Sequence, residues 1–240
     1  MLSAVNLLFP RRCPVCGDIV LPEGALICPS CIVKLSPVKQ PSCKKCGKEV
    51  YADHMEYCPD CGRHRRSFDS GAALLNYNEA ARKSMAAIKY KNRREYLDFY
   101  AEAIVHRYGK WMVHLDAEAL VPIPIHPARR RKRGFNQAEE LAVRLGRLTD
   151  MPVLPELLVR VRRTAPQKEL SAAERLKNLQ EAFAVSGGFL ERSGGKVPSG
   201  VILVDDIYTT GSTMEACARI LKAAGAERVF FITICTGANP

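Results

Sequence analysis

Residues 201–213 read VILVDDIYTTGST. Four apolar residues that run into adjacent acids, Asp205 and Asp206, describe a strand covered on both faces until it reaches the surface. Successive side chains of a strand point to opposite faces, so two neighbouring acids can serve one ligand only where the strand ends and the chain turns. Thr209, Thr210, Gly211, Ser212 and Thr213 follow at once and lead into STMEACARILKAAG (212–225), an amphipathic helix that Gly225 closes. Hydroxyls and backbone amides at a helix N-terminus favour an anion, because the first N–H groups lack partners and the helix dipole adds to them. Together they fit a ligand with a diol beside a phosphate: carboxylates take the ribose hydroxyls and the loop takes the 5′-phosphate. A nucleotide-hydrolysing P-loop protein also ends an apolar strand in Asp, but no GxxxxGK[ST] run accompanies this one.

Working outward, the chain alternates strand-like and helix-like segments. GAALLNY (71–77), ALVPIPI (119–125), the second half of VLPELLVRV (153–161) and RVFFITIC (228–235) read as strands. EAARKSMAAIKYKNRREYLDFYAEAIVHRYG (79–109) reads as two helices broken around Lys91 to Arg93, and FNQAEELAVRLGRLT (135–149) as another. Continuous apolar strands alternating with helices predict an α/β fold with a parallel sheet flanked by helices, whose ligands bind beyond the carboxyl ends of the strands. Two polar interruptions stand out: the basic turn HPARRRKRG (126–134), and RRTAPQKELSAAERLKNLQ (162–180), long enough to be a functional loop.

The first 62 residues carry a separate pattern. Cys13/Cys16, Cys28/Cys31, Cys43/Cys46 and Cys58/Cys61 form four CxxC pairs repeating every 15 residues. Each CxxC turns two sulfurs toward one point, and two such turns complete a tetrahedron around Zn2+. The spacing predicts two structural zinc ions; consecutive pairs share a metal (13, 16, 28, 31 and 43, 46, 58, 61) or the pairs cross, and the consecutive arrangement is favoured. Gly17, Gly47 and Gly62, directly after three of the pairs, are expected at positive φ. His54 and His64 are not needed as ligands, and Cys217 and Cys235 are expected to be buried and inert.

The formal net charge of +11 over 240 residues falls to about +7 if two zinc ions, each held by four thiolates, leave −2 per site, and it still favours anionic partners. A content of 47% hydrophobic and 25% charged residues excludes a disordered chain. The start, MLSAVNLLFPRR, lacks a charged leader ahead of its apolar stretch, and no apolar run is long enough to cross a bilayer, so a cytoplasmic protein is expected.

VILVDDIYTTGST closely resembles the phosphoribosyl pyrophosphate (PRPP) signature of type I phosphoribosyltransferases. PIPIHPARRRKRGFNQAEELA, RRTAPQKELSAAERLKNLQEAF and the cysteine-rich start together resemble the ComF family of competence-associated proteins, over essentially the whole chain. The resemblance implies a zinc-binding double ribbon over 1–66 and a phosphoribosyltransferase domain over 67–240. It further implies Mg2+ bound with PRPP, a link to single-stranded DNA uptake and to other DNA-uptake proteins, and an acceptor that is not fixed. The early cysteines fall in CxxC pairs, so glutamine-driven amination is not expected.

The resemblance also distributes roles. Asp205, Asp206 and Arg133 are the expected catalytic residues. Thr209 to Thr213 hold the 5′-phosphate, and Arg133 with Gly134 meets the pyrophosphate. Gln167, Arg175 and Asn178, within a pattern that includes Thr164 and Leu170, are ligand-facing candidates on a closing loop. Arg129, Arg130, Arg131 and Lys132 are more peripheral, either a solvated basic turn or, with Arg160, Arg162 and Arg163, contacts for nucleic acid. Asn136 and Gln137 either cap a helix or orient a ligand, Lys89 is either a solvated helix lysine or a family lysine at the site, and His126 reads as structural. Two functions follow: a Mg-dependent phosphoribosyltransferase displacing pyrophosphate at ribose C1, or a non-catalytic single-stranded DNA-binding module on the same fold. Aromatic residues at 7% supply no repeated stacking platform for the second.

Overall fold

The computed structural model describes residues 10–161 and 181–237. Four parallel strands form one sheet in the order β1 (Ser70–Asn76), β6 (Arg228–Thr236), β5 (Gly200–Tyr208), β2 (Ala119–Pro122). β5 lies centrally, with Val204 opposite Ile232 on one side and opposite Pro122 on the other. The strand expected to reach Ile125 stops at Pro122; Ile123 N still donates to the Val204 carbonyl at 2.9 Å, and Pro124 offers no N–H to carry the ladder further. β3 (Leu158–Arg160) and β4 (Phe183–Val185) pair antiparallel as a separate ribbon, and the short helix α7 (Gly187–Arg192) follows β4.

Both faces of the sheet are covered, which is why β5 reads as unbroken apolar sequence. Ile202 and Val204 point to one face. There they meet Ile88 of α3 (Glu79–Lys91), Leu97, Tyr100 and Ile104 of α4 (Tyr96–Val113), and Leu141 and Leu145 of α6 (Gln137–Thr149). The break between α3 and α4 falls where the sequence predicts it, at Asn92 in the left-handed region (φ 54°). Val201 and Leu203 point to the other face, against Cys217 and Leu221 of α8 (Ser212–Ala223) and against Phe231 and Phe68. Both helix cysteine and strand cysteine are buried; burial pushes the Cys217 thiol up and the Cys235 thiol up to about 12. No helix among the described residues is long and apolar enough to cross a membrane.

The basic stretch 126–134 is the clearest departure from expectation: it is a helix, α5 (Pro127–Arg133), not a turn. Three local signals outweigh the repulsion of its charges. Pro127 sits at the first helical position, His126 Nδ1 accepts from Ala128 N (3.1 Å), and Gly134 closes the helix at φ 83°.

The cysteine pairs meet consecutively. The sulfurs of Cys13, Cys16, Cys28 and Cys31 lie within 4.8 Å of one another, as do those of Cys43, Cys46, Cys58 and Cys61. A tetrahedral Zn–S bond of about 2.3 Å places sulfurs about 3.8 Å apart; Cys46 and Cys58 are at 3.6 Å and Cys16 and Cys28 at 4.0 Å. Without a cation, thiols this close compete for protons: hydrogen bonding to Cys46 drives Cys43 down, and hydrogen bonding to Cys43 drives Cys46 up. The residues fit two zinc ions. Gly17 and Gly47 take the expected positive φ, but Gly62 does not, because it lies in α2 (Pro59–Arg63), a one-turn helix carrying Cys61. The counterpart in the first cluster is α1 (Pro29–Ile32), which carries Cys31.

The two clusters sit differently. Cys43, Cys46 and Cys58 belong to the apolar core that contains Phe68 and Phe231. Cys13 and Cys31 form a small cluster with Val20, and the segment before it is clamped to α4 by Arg11, which donates to Asp98 at 2.8 Å.

Candidate functional site at the carboxyl end of the sheet

A cavity of about 720 Å3 opens beyond the carboxyl ends of β2 and β5. Asp205, Asp206 and Thr213 line one side and Arg129, Lys132 and Arg133 of α5 another, with Lys89, Gln137 and Arg160 completing the wall. The helical form of 127–133 explains which cations take part. Residues 129, 132 and 133 share one face at helical spacing, whereas Arg130 turns away to Glu139 at 3.1 Å. Arg129 and Lys132, expected at the periphery, therefore line the cavity beside Arg133. Gly134 ends the helix and does not line the cavity.

The two acids have different surroundings. Asp206 is 5% exposed; its Oδ2 pairs with Lys89 Nζ and its Oδ1 accepts from Gln137 Nε2 at 3.0 Å. Gln137 in turn accepts from Arg133 Nη1, so acid, amide and guanidinium form one chain of contacts. Burial pulls the Lys89 ammonium down, but the Asp206 carboxylate outweighs it and holds Lys89 raised. Asp205, whose Oδ1 accepts from the Asp206 amide at 2.8 Å, makes no ion pair among the described residues: burial, then the Asp206 charge, pushes its carboxyl well above the usual range, and Lys89 offsets only part of that rise. Burial and the neighbouring Arg129 hold Arg160 lowered.

The loop after β5 is built as the sequence suggests. Gly211 takes φ 76° and its carbonyl accepts from Glu215 N at 2.8 Å, which opens α8 at Ser212. A Cβ on Gly211 would stand 2.3 Å from Tyr208 Oη, so only glycine fits. Thr209 and Thr210 are exposed, and Thr210 Oγ1 lies 3.0 Å from Ser212 Oγ. Of this loop Thr213 lines the cavity, while Thr209, Thr210, Gly211 and Ser212 lie outside its lining.

Of the residues left open by the sequence, Asn136 caps α6 through Ala138 N (3.2 Å) and holds the Ile123 carbonyl (2.9 Å), while Gln137 belongs to the cavity. His126 caps α5. Lys89 belongs to the cavity as well. It directly follows Ile88 at the edge of the buried stripe of α3, which includes Ala81, Ser84 and Met85, and that position is its signal in the sequence. Gln167, Arg175 and Asn178, together with Arg162, Arg163, Thr164 and Leu170, lie outside the described residues.

Comparison with known proteins agrees with this architecture. Residues 4–62 match the double zinc ribbon domain and residues 131–240 the phosphoribosyl transferase domain. The chain is 31% identical to competence protein F of Haemophilus influenzae, over 92% of this chain and 95% of that protein. It is 30% identical to competence protein ComFC of Bacillus subtilis (83% and 79%), and 26% identical to the DNA utilization protein YhgH of Escherichia coli (80% and 83%). A parallel sheet with an acid pair at its carboxyl end, two four-cysteine zinc sites and near full-length likeness to a competence protein leave one assignment: the chain belongs to the ComF family, whose members resemble phosphoribosyltransferases.

Proposed function

We propose that the chain binds PRPP with Mg2+ in the cavity at the carboxyl end of the sheet and transfers its phosphoribosyl group to an acceptor. The C1–O bond to pyrophosphate breaks with its electron pair leaving on pyrophosphate, and a nucleophile of the acceptor bonds to C1. One observation carries the reading: an acid pair and Thr213 of the first turn of α8 on one side of a single cavity oppose three cations on one face of α5. In this arrangement Thr209, Thr210, Ser212 and Thr213, with the Gly211 amide, take the 5′-phosphate. Asp205 takes the ribose hydroxyls, and Arg129, Lys132 and Arg133 take the pyrophosphate. Asp206 is already engaged by Lys89 and Gln137, so its part is to hold the site's charge balance and to favour the cationic character that develops at C1.

A carboxylate that lines the cavity and makes no ion pair among the described residues suits Mg2+, which is commonly bound by one or two carboxylates plus substrate phosphates. Mg2+ would supply neutralisation of the departing pyrophosphate. The test is calorimetric titration of Mg-PRPP into wild type and into Asp205→Asn/Asp206→Asn, alongside detection of released pyrophosphate. Binding by wild type and at least a tenfold loss in the variant are expected; equal affinity refutes the reading.

A second reading, single-stranded DNA binding, gains support from one feature. Tyr90, 77% exposed, borders both the acid cavity and a neighbouring groove of about 670 Å3 lined by Arg12, Arg82, Lys83, Lys91 and Arg93. The Arg133 guanidinium stands 5.7 Å from its ring centroid. An exposed ring within a cationic track is a stacking platform for bases. Titrating a short single strand into Tyr90→Ala at two salt concentrations tests it: weakened binding with an unchanged salt slope supports stacking, and unchanged affinity removes the support.

A further inference from the structure

We infer that Arg66 is a positioning residue that couples metal binding at the second zinc site to ligand binding at the 209–213 loop. The inference rests on the proposed use of that loop for phosphate. Arg66 Nη2 donates both to Asp60 Oδ2 (2.5 Å) and to the Thr210 carbonyl (3.1 Å), and its side chain is 9% exposed. Asp60 lies in α2 between the zinc ligands Cys58 and Cys61. The next residue repeats the attachment: Ser67 N and Oγ donate at 2.8 Å each to the two carboxylate oxygens of Glu215, a 1%-exposed residue in the first turn of α8. Residues 66 and 67 thus clip the loop and the helix behind it to the second zinc knuckle.

The loop also rests on the ribbon from below. Gly211 sits on Tyr208, whose ring stacks on Phe231 (centroids 4.8 Å apart) and lies 5.6 Å from Nζ of Lys48, a buried lysine between the two CxxC pairs of the second site. A helix of five residues does not hold itself together, because nucleation costs more than one turn returns. Ligation of Cys58 and Cys61 is what fixes α2, and with it the Asp60 carboxylate that orients Arg66. Metal binding therefore selects the loop geometry in which the Thr210 carbonyl is held by Arg66. Such linkage is reciprocal: a ligand that binds the ordered loop must raise the equilibrium affinity for the second zinc by the same factor.

The experiment compares wild type, Arg66→Ala and Asp60→Asn, each with two zinc ions per chain. Three measurements are made: amide hydrogen exchange at 209–213, Mg-PRPP affinity, and equilibrium transfer of zinc to a chelator with and without Mg-PRPP. Expected are faster loop exchange in both variants, a loss of Mg-PRPP affinity of about fivefold or more, and, in wild type alone, tighter retention of one zinc ion against the chelator when Mg-PRPP is present. Arg66→Lys, which keeps the charge and one donor, is expected to recover part of the affinity. Loop exchange that is the same in all three proteins overturns the coupling. Should wild type fail to bind Mg-PRPP, the proposed function falls while the exchange measurement still decides the coupling. Loss of a zinc ion on folding of Arg66→Ala shifts the decision to Asp60→Asn, which weakens the same contact from the other side by removing its charge.

Discussion

Lys89 Nζ, reaching from α3, forms a largely buried ion pair with Asp206 Oδ2 at the end of β5, so a helix on one face of the sheet is tied to one of the two acids at the strand end. Removing one partner of such a pair leaves the other buried and uncompensated. Lys89→Met is therefore expected to destabilise the protein by about 3 kcal/mol, read from the midpoint of urea unfolding. Adding Asp206→Asn should restore most of that loss, since an amide accepts burial beside Gln137 more readily than a lone carboxylate. A single variant as stable as wild type would show that the pair is not a structural tie.

Asp205 gives a pH dependence of definite sign. Its folded carboxyl lies well above the usual range, chiefly through burial, so the folded chain holds a proton that the unfolded chain has already lost. This contribution to stability is fully present below the ordinary carboxylate pKa and is lost as pH rises through the folded value. Asp205→Asn should remove that decline and raise the melting temperature at pH 7 by about 2–4 °C, with the two proteins converging at acid pH. The same substitution should abolish Mg-PRPP binding. A wild-type stability that climbs across this window would contradict the assignment.

The orientation of α5 predicts unequal effects within one run of cations. Arg129→Ala and Arg133→Ala should each weaken Mg-PRPP binding by roughly tenfold or more, the scale of a charge-assisted hydrogen bond. Arg130→Ala removes an exposed pair with Glu139, of a kind that contributes under about 1 kcal/mol, and should leave affinity within about threefold. Equal losses at all three positions would mean that the run attracts anions at long range without forming a site.

Much of this was legible because the decisive features are local. The run from Val201 to Asp206 announces a buried central strand that surfaces in acids, and the 15-residue repeat of CxxC pairs announces two four-sulfur clusters. What stayed hidden depends on periodicity inside short segments or on distant partners. Five consecutive cations suggest a solvated turn; Pro127, His126 and Gly134 are the helix signals that sort Arg129, Lys132 and Arg133 from Arg130. Lys89 and Asp206 meet only because α3 lies against the sheet, and nothing near either residue names the other. Arg66 is silent for the same reason: its two partners sit in a zinc knuckle and in the loop beyond β5.

The two zinc sites should part company when the metal is withdrawn. Cys43, Cys46 and Cys58 are built into the core around Phe68 and Phe231, whereas Cys16 is exposed and its cluster holds only Cys13, Val20 and Cys31 as buried apolar members among the described residues. A chelator reaches the first site without opening the sheet's core, so release should follow two phases, one zinc ion fast and one slow. Cys16→Ser should lose a single zinc ion and shift unfolding of the sheet by about 1 kcal/mol or less. Cys46→Ser leaves three sulfurs facing one another inside the core, and because metal ligation contributes on the order of 10 kcal/mol to folding such sites, loss of cooperative unfolding is expected. Zinc stoichiometry by a chromogenic chelator, with circular dichroism on the same samples, distinguishes these outcomes. A single release phase, or Cys46→Ser melting as sharply as Cys16→Ser, would show that the second ribbon is as peripheral as the first.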